Sequence, residues 1–243
     1  MKILKKYKCV GYDLENCILA FVKFSEDEGK LDEQDLSTIE FSKRLKEATG
    51  WRLVGASVLK GGYEAAAREM FSRGVDEARL YVNERENVGD IYSSALLMKG
   101  IVEDLGCKAI VFGERSSDTS FGCLGGYVAG LLNMNFIPFI KEVVEIKDDI
   151  IKVRTLLDGE LLLVSDLPAI LVPMLELFPP RPVLMRDKLE ARKRRPVIVE
   201  AGERVAATCF LLRAQKPEEK KRDPVEVKSP EELLNIIMKR VGS

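Results

Sequence analysis

The chain has 243 residues, of which 46% are hydrophobic and 32% are charged, and its formal net charge at pH 7 is −1. A nearly neutral chain has no overall field to draw it to nucleic acid or to an anionic membrane. A mean hydropathy of −0.05 predicts a water-soluble protein. The complete absence of histidine excludes hydrolytic triads and the commonest transition-metal ligand.

The five cysteines are scattered along the chain and include no C-x-x-C pair. The sequence therefore predicts neither a zinc cluster nor a disulfide framework. No apolar run approaches the roughly 20 residues that a membrane span requires, and the first residues lack the long apolar stretch of a signal peptide. We expect a cytoplasmic protein with no bound metal.

Apolar runs of strand length alternate with helical patterns through the first half of the chain. Four such strand–helix repeats indicate an α/β fold, with a mostly parallel, twisted sheet and helices on both faces. Strands are predicted at 17–24, 52–59, 79–82 and 109–112, and helices at 35–48, 63–73, 90–105 and beyond 126.

Beyond Met134 the pattern changes to short strands separated by tight turns. Such antiparallel strands commonly extend a parallel sheet at its edge. We expect a β-hairpin insert over about 140–166, followed by a buried strand at 167–172. The strands of the insert are predicted at 142–146, 150–157 and 161–165.

The C-terminal part has a different composition. Residues 215–227 are charged and poor in apolar residues, which predicts an extended linker. Ser229-Pro230-Glu231-Glu232 is a capping box that begins a short helix, whose apolar stripe must dock on its own domain or on a partner subunit. We predict two parts, an α/β nucleotide-binding-type domain over 1–214 and a linker with a docking helix over 215–243.

The stretch from Ala109 to Leu132 carries the clearest functional signal. A short strand ends at Gly113, a polar loop follows, and glycines lead into a helix. Unpaired N–H groups and the macrodipole at a helix start attract anions, and glycines let a phosphate approach the backbone. An ordinary strand-to-helix turn has the same features, and the stretch matches neither G-x-x-x-x-G-K-[ST] nor G-x-G-x-x-G. A phosphate site and a plain turn both stay open.

Six segments, in the same order along the chain, resemble the β-subunit family of electron transfer flavoproteins. The resemblance covers roughly Ile18 to Val241, and the order of the segments makes it specific although each segment alone is a weak signal. The segments are ILAFVKF, LDEQDLSTIEFSKRLKE, SRGVDEARLYV, AIVFGERSSDTSFGCLGGYVAGLL, DGELLLVSDLPAILVPMLELFPPRP and VEVKSPEELLNIIMKR.

The resemblance implies a Rossmann-like fold of the adenine nucleotide α-hydrolase type, with the hairpin elaboration and an extended C-terminal arm. It also implies an electron carrier subunit rather than an enzyme. The chain would form a heterodimer with an α subunit that holds FAD, and the pair would carry electrons from dehydrogenases to a quinone-linked acceptor. The loop over 113–126 would bind an adenine nucleotide, either AMP or, in electron-bifurcating members, a second FAD.

The resemblance also assigns site residues. Asp118, Gly122 and Gly125 fall on the first Asp and the last two Gly of the family's D-G-D-T-G-Q-V-G-P motif, and Asp32 and Asp35 fall on its N-P-x-D segment. The motif is replaced at Ser120, Phe121, Cys123 and Gly126, so AMP, FAD and an empty site all stay open. The predicted cofactor-binding residues are Asp32, Asp35, Ser57, Val58, Gly113, Asp118, Thr119, Ser120, Phe121, Gly122, Cys123, Leu124 and Gly125.

Two further residues, Leu177 and Arg181, fall on the loop that presents the family's β subunit to partner dehydrogenases. An alternative function of another class is a stand-alone adenine-nucleotide-binding module of the universal-stress-protein type, which would form homodimers and bind ATP without a redox role. The hairpin insert and the C-terminal arm count against it, because a compact sensor has no use for either. A structural partner that binds no nucleotide is a third possibility.

Overall fold

The computed structural model describes five stretches of the chain, residues 14–25, 29–82, 90–116, 120–200 and 226–241. They belong to two compact units, one within residues 1–210 and one within 211–243. The predicted boundary between residues 214 and 215, and most of the predicted linker, lie outside the described residues.

The larger unit contains all of the strands and five of the α-helices that the described residues form. The strands are β1 (Glu15–Phe21), β2 (Phe24–Ser25), β3 (Lys30–Leu31), β4 (Arg52–Leu59), β5 (Glu77–Val82), β6 (Cys107–Val111), β7 (Asn135–Lys147), β8 (Ile150–Leu156), β9 (Glu160–Asp166), β10 (Ala169–Pro173) and β11 (Val197–Glu200). The helices are α1 (Glu33–Thr49), α2 (Tyr63–Ser72), α3 (Ile91–Leu105), α4 (Leu124–Leu132) and α5 (Met185–Ala191), with a 3₁₀ helix at Leu175–Leu177.

Nine strands form one sheet in the order β11-β5-β4-β1-β6-β10-β7-β8-β9. Every neighbouring pair from β11 to β7 is parallel, and β8 and β9 continue the sheet antiparallel. β2 and β3 form a separate antiparallel pair. The predicted α/β fold with a mostly parallel sheet is confirmed.

Side-chain alternation along the strands divides the core into two layers. In β1, Ile18 and Ala20 belong to a layer that includes side chains of α1 and α2, whereas Leu19 and Phe21 belong to a layer that includes side chains of α3 and α4. A parallel strand buried on both faces reads as a continuous apolar run, which is why this segment is recognisable as a strand. Helices therefore cover both faces of the sheet.

The hairpin insert is confirmed, and its first strand is longer than predicted. β7 begins at Asn135 because Phe136 and Ile137 pair in parallel with Ile170 and Leu171 of β10 before the strand reaches the insert. β8 and β9 then add to β7 by antiparallel pairing. The insert is thus an extension of the main sheet and not a separate sheet.

The expectation that the cysteines form no disulfide is wrong for one pair. Cys17 in β1 and Cys107 in β6 form a disulfide, with their Cα atoms 4.8 Å apart. Both residues are fully buried. They are 90 positions apart in the sequence, so no local spacing marks them, and only the pairing of β1 with β6 brings them together. The thiol of Cys123 is free.

Four parts of the larger unit were not expected from the sequence, and one of them is the 3₁₀ helix at Leu175–Leu177. The β2–β3 pair consists of two-residue strands, which are too short for periodicity to reveal. α5 is only seven residues long and follows the proline-rich segment 178–182. β11 is four residues long and pairs in parallel with β5, at the edge of the sheet opposite β9.

The smaller unit contains the helix α6 (Pro230–Val241). The N–H of Glu232 donates to Ser229 Oγ at 3.2 Å, and the N–H of Lys228 donates to the Glu232 carboxylate at 3.0 Å, so the predicted helix start is confirmed. Across the described residues, none of the helices combines the length and hydropathy that a membrane span requires. Taken by itself, α6 exposes the side chains of Leu233, Leu234, Ile237 and Met238.

Candidate functional site

The carboxyl ends of β1 and β6 form the point where the order of the strands reverses. From β1 the chain proceeds to β4 and β5 on one side, and later returns to place β6 on the other side of β1. The loops that leave two such strands separate to opposite faces of the sheet and leave a crevice between them. The residues predicted to bind a nucleotide lie on these loops, on the helix starts that follow them and at the end of β4.

The two predicted acidic residues bind the backbone of the chain itself. Asp32 is the N-cap of α1, and its Oδ1 accepts the N–H of Gln34 at 2.9 Å. Asp35 Oδ2 accepts the N–H of Lys23, just after β1, at 2.6 Å. Both carboxylates are buried. Their first role is therefore to hold the start of α1 against the end of β1.

Gly113 allows the end of β6 to approach α1 closely. A Cβ atom at this position would lie 2.6 Å from Asp35 Oδ1 and 3.3 Å from Thr38 Oγ1. The first of these distances is well inside van der Waals contact, so a larger residue would displace α1 or the loop. Gly113 thus joins Asp35 and Thr38 in one cluster at the crevice.

Three buried oxygen atoms around α1 lack a hydrogen-bond partner among the described residues, namely Gln34 Oε1, Thr38 Oγ1 and Ser57 Oγ. We refer to them as the orphan oxygens. Gln34 and Thr38 lie one turn apart on α1. Ser57 lies near the end of β4, where the N–H of Val22 binds the carbonyl of Ala56. An unpaired buried polar group costs about 1–3 kcal/mol, so these oxygens indicate a place where a ligand supplies the missing partners.

The loop after β6 is closed by its own backbone. Ser120 donates from its N–H and from its hydroxyl to the carbonyl of Ser116, at 3.0 and 3.1 Å. Gly122 has a φ of +62°, and a Cβ atom there would lie 2.9 Å from the Glu114 carbonyl oxygen. The predicted site residues Asp118 and Thr119 lie outside the described residues. These bonds hold the two described ends of the loop close together. A turn that encloses a small ligand group needs such closure.

The start of α4 presents backbone N–H groups that no side chain caps. Cys123 is the N-cap residue and makes no side-chain cap bond, and Leu124 is the first helical residue. Gly125 is buried, and a Cβ atom there would lie 3.3 Å from Phe112 Cβ. The missing side chain lets α4 begin close to the carboxyl end of the sheet. An uncapped helix start carries unpaired donors and partial positive charge, which suit an anion.

Two predicted site residues point away from the orphan oxygens. Val58 follows Ser57, so strand alternation turns it to the opposite face, where it packs with the α3 and α4 layer. Phe121 is 59% exposed. An open groove of about 580 Å³ runs along the outer side of α4, lined by Gly122, Gly126, Gly130 and neighbouring aromatic side chains. It lies on the α4 face of the sheet, whereas the orphan oxygens lie on the α1 face.

Arg181, predicted to face a partner, binds α1. Its Nε lies 2.7 Å from Glu40 Oε1, its Nη2 lies 3.1 Å from Glu47 Oε1, and its backbone N–H donates to Glu40. Partial burial lowers the pKa of the Arg181 guanidinium, but the carboxylates of Glu40 and Glu47 outweigh this effect and raise it above its ordinary value. Arg181 thus fastens its segment to α1. Leu177 ends the 3₁₀ helix and is 42% exposed.

Gln34, Thr38 and Glu40 were not predicted as site residues from the sequence. They lie within the predicted helix, and Thr38 and Glu40 are buried polar residues on it. A polar residue at a buried helical position is a usable signal, because such a group requires a partner. Their importance is evident only when α1 is placed against β4, β6 and the 3₁₀ segment.

Among the described residues, no group of three or more cysteine, aspartate or glutamate side chains is arranged to hold a metal ion. The described site therefore consists of orphan oxygens, an uncapped helix start and glycines that allow close approach.

A family model described as "Electron transfer flavoprotein domain" matches residues 21–203, about three quarters of the chain. The matched range includes β4, β6, α1, α4 and the 3₁₀ segment. The chain therefore belongs to the electron transfer flavoprotein family.

Proposed function

We propose that this chain is the β subunit of an electron transfer flavoprotein and acts as an electron carrier subunit rather than as an enzyme. It forms a heterodimer with an α subunit that holds FAD, and the pair carries electrons from dehydrogenases to a quinone-linked acceptor. The family assignment supports the redox role. The order of the six sequence segments supports the β subunit over the α subunit.

The observation that carries the proposal is the crevice that has the orphan oxygens on its α1 side and the uncapped start of α4 on its other side. An adenine nucleotide has an amino group, ring nitrogens and ribose hydroxyls that suit the first feature, and phosphates that suit the second. Ser57, Thr38 and Gln34 would bind the base and the ribose. The N–H groups of Leu124 and Gly125 would bind phosphate. AMP and the adenine half of FAD both fit these groups.

The carboxylates near the site are held by the chain's own backbone. Asp32 and Asp35 each accept a backbone N–H, and both lie at the start of α1, where the helix dipole favours negative charge. The chain's own task is to bind and orient the nucleotide and to exclude water from it. FAD, when bound in the heterodimer, takes up and releases the electrons.

Two surfaces have partner roles in this proposal. The exposed apolar stripe of α6 docks on the α subunit, because a helix of 12 residues is marginal when isolated. The segment that Arg181 fastens to α1, with the exposed Leu177, faces the partner dehydrogenase. In this assignment, Arg181 positions the segment and does not itself reach the partner.

Co-expression with an electron transfer flavoprotein α subunit from the same organism tests the proposal. We expect the two chains to co-purify as a yellow one-to-one complex whose absorbance is bleached by a reductant. Recovery of this chain alone as a homodimer that binds ATP would favour the stand-alone nucleotide module. A colourless chain that does not associate with the α subunit would contradict the redox role.

A further inference from the structure

The strand β9 is an unprotected edge of the nine-stranded sheet. Among the described residues it pairs only with β8, so its outer backbone N–H and C=O groups face away from the sheet. The β8–β9 register continues over seven pairs without interruption, whereas the β7–β8 register shifts twice. Bulges, inward charges, lysines and prolines normally protect an edge, and β9 contains none of them.

The centre of β9 is apolar and exposed. Leu161, Leu162 and Val164 are 44%, 58% and 60% exposed. Their side chains lie on both faces of the strand, so a partner that covered one face alone would leave part of the cluster in water. The opposite edge differs, because β11 is only four residues long. β11 also exposes Val197 and Ile198, at 43% and 53%, so β9 differs from it in the length of the exposed apolar edge.

The charges on β9 select against a second copy of the chain. Glu160 and Asp166 are at the two ends of the strand. In the antiparallel pairing of two copies centred on Leu163, which covers the whole apolar centre, Glu160 of each copy faces Asp166 of the other. Like charges directly opposite each other destabilise a strand pair. Glu160 already pairs with Lys141 and Arg154 of the chain's own sheet, at 2.6 and 3.5 Å. The edge therefore suits a foreign strand with an apolar centre and a lysine or arginine opposite Asp166.

We propose that β9 is a docking edge to which the α subunit adds an extended strand with an apolar centre and a cationic residue opposite Asp166. The inference rests on the heterodimer proposed above. Main-chain hydrogen bonds would provide affinity, and the alternating apolar contacts and the charge of Asp166 would provide specificity. The docked strand would extend the sheet from nine strands to ten.

Amide hydrogen exchange of the isolated chain and of the co-expressed heterodimer tests this inference on the unaltered protein. We expect exchange across residues 160–166 to slow by about tenfold or more in the heterodimer, because outward N–H groups acquire acceptors. Exchange in β11 should not change. If a heterodimer forms and β9 exchanges at the rate of the isolated chain, the docking edge is wrong while the proposed function stands.

Leu162→Glu provides a second test. The new carboxylate would lie directly opposite Arg154 of β8, so the variant should fold, but it would place a charge against the apolar centre of the docked strand. We expect about 30-fold weaker binding of the α subunit. The matched control is Ile198→Glu on β11, a residue 53% exposed, which should bind normally. Equal binding by both variants, or a homodimer of the unaltered chain with protected β9 amides, would overturn the inference.

Discussion

Ser57 and Thr38 have buried hydroxyl oxygens without partners among the described residues. Neither group benefits the fold, since each costs about 1–3 kcal/mol when left unpaired. Asp32 and Asp35 behave differently, because their oxygens accept backbone N–H groups and stabilise the start of α1. Two kinds of polar residue therefore meet in the crevice, one that stabilises the fold and one whose buried oxygen has no partner among the described residues.

Replacing Ser57 with alanine should separate ligand binding from stability. We expect the free energy of unfolding of the nucleotide-free chain to stay the same or rise by up to about 1 kcal/mol, because an unpaired hydroxyl is removed. The affinity for the nucleotide should fall about tenfold, as expected for one lost hydrogen bond. Urea unfolding and calorimetric titration with the nucleotide measure the two effects.

Thr155→Val is the matched control for Ser57→Ala. Thr155 is also fully buried with an unpaired Oγ1, but it lies in β8, away from the crevice. Its substitution should leave nucleotide affinity unchanged. If the two variants have the same affinity, Ser57 does not contact the ligand.

Gly113→Ala should destabilise the chain by about 1–3 kcal/mol, the usual cost of overpacking a close contact. The added methyl group would collide with Asp35 Oδ1 and weaken its bond from the Lys23 N–H. Gly130→Ala is the control, because nothing lies within 4 Å of its Cβ position and alanine favours a helix over glycine. Chemical denaturation measures the unfolding free energy of the two glycine variants. Equal stability of both variants would contradict the close packing of α1 against β6.

At the scale of elements, α1 connects the nucleotide crevice to the 3₁₀ segment. Its first turns carry Asp35 and Thr38 against Gly113, and the next turn carries Glu40 against Arg181. Phe178 is buried beside α1, with its ring centroid 4.9 Å from that of Phe41 in a perpendicular arrangement. A displacement of α1 by a ligand would therefore reach the segment assigned to the redox partner.

Arg181→Met should release this segment from α1. We expect the free energy of unfolding to fall by about 1 kcal/mol. The expected loss is small because the Arg181 side chain is half exposed and water screens its ion pairs. Faster amide exchange should be confined to residues 174–184. Arg186→Met is the control, because the Arg186 side chain is 80% exposed and forms an ion pair of 3.4 Å with its sequence neighbour Asp187. Normal exchange in Arg181→Met together with weaker dehydrogenase binding would show instead that Arg181 contacts the partner directly.

The disulfide should stabilise the central strand pair. Replacing both Cys17 and Cys107 with serine opens a loop of 90 residues, and we expect a loss of about 3–4 kcal/mol in unfolding free energy. Cys123→Ser, which removes the free thiol, should have no such effect. Peptide mapping without reductant should recover the Cys17 and Cys107 peptides linked, and their recovery as separate peptides would contradict the bond.

Disulfides are rare in the cytosol outside hyperthermophiles, so the expected cytoplasmic location stays a prediction.

Local patterns predicted most of the elements, and contacts distant in sequence account for what they missed. β4 is found where its apolar run indicated, and the capping box correctly begins α6. The Cys17–Cys107 bond could not be foreseen, because it depends on which strands become neighbours. The glycine loop indicated the carboxyl end of β6 as a candidate site, which stays a prediction. The orphan oxygens of α1 and β4 become evident only when α1 is packed against β4 and β6.

At the scale of the larger unit, the proposed nucleotide site and the proposed docking edge lie in separate parts of one sheet. The crevice lies at the carboxyl ends of β1 and β6 in the middle of the sheet, and β9 forms its far edge, four strands from β6. Variants of the two sites should therefore act independently. Ser57→Ala should form the heterodimer normally, and Leu162→Glu should keep the nucleotide affinity of the unaltered chain, because distant sites usually have additive effects.

The central claim is that this chain holds an adenine nucleotide of its own within an electron transfer flavoprotein. Denaturing the purified heterodimer and identifying the released nucleotides by mass spectrometry tests it most directly. We predict FAD from the α subunit together with one further equivalent of adenine nucleotide, either AMP or FAD, which is depleted in the Ser57→Ala heterodimer. Release of a single equivalent of FAD and no other nucleotide would contradict the claim.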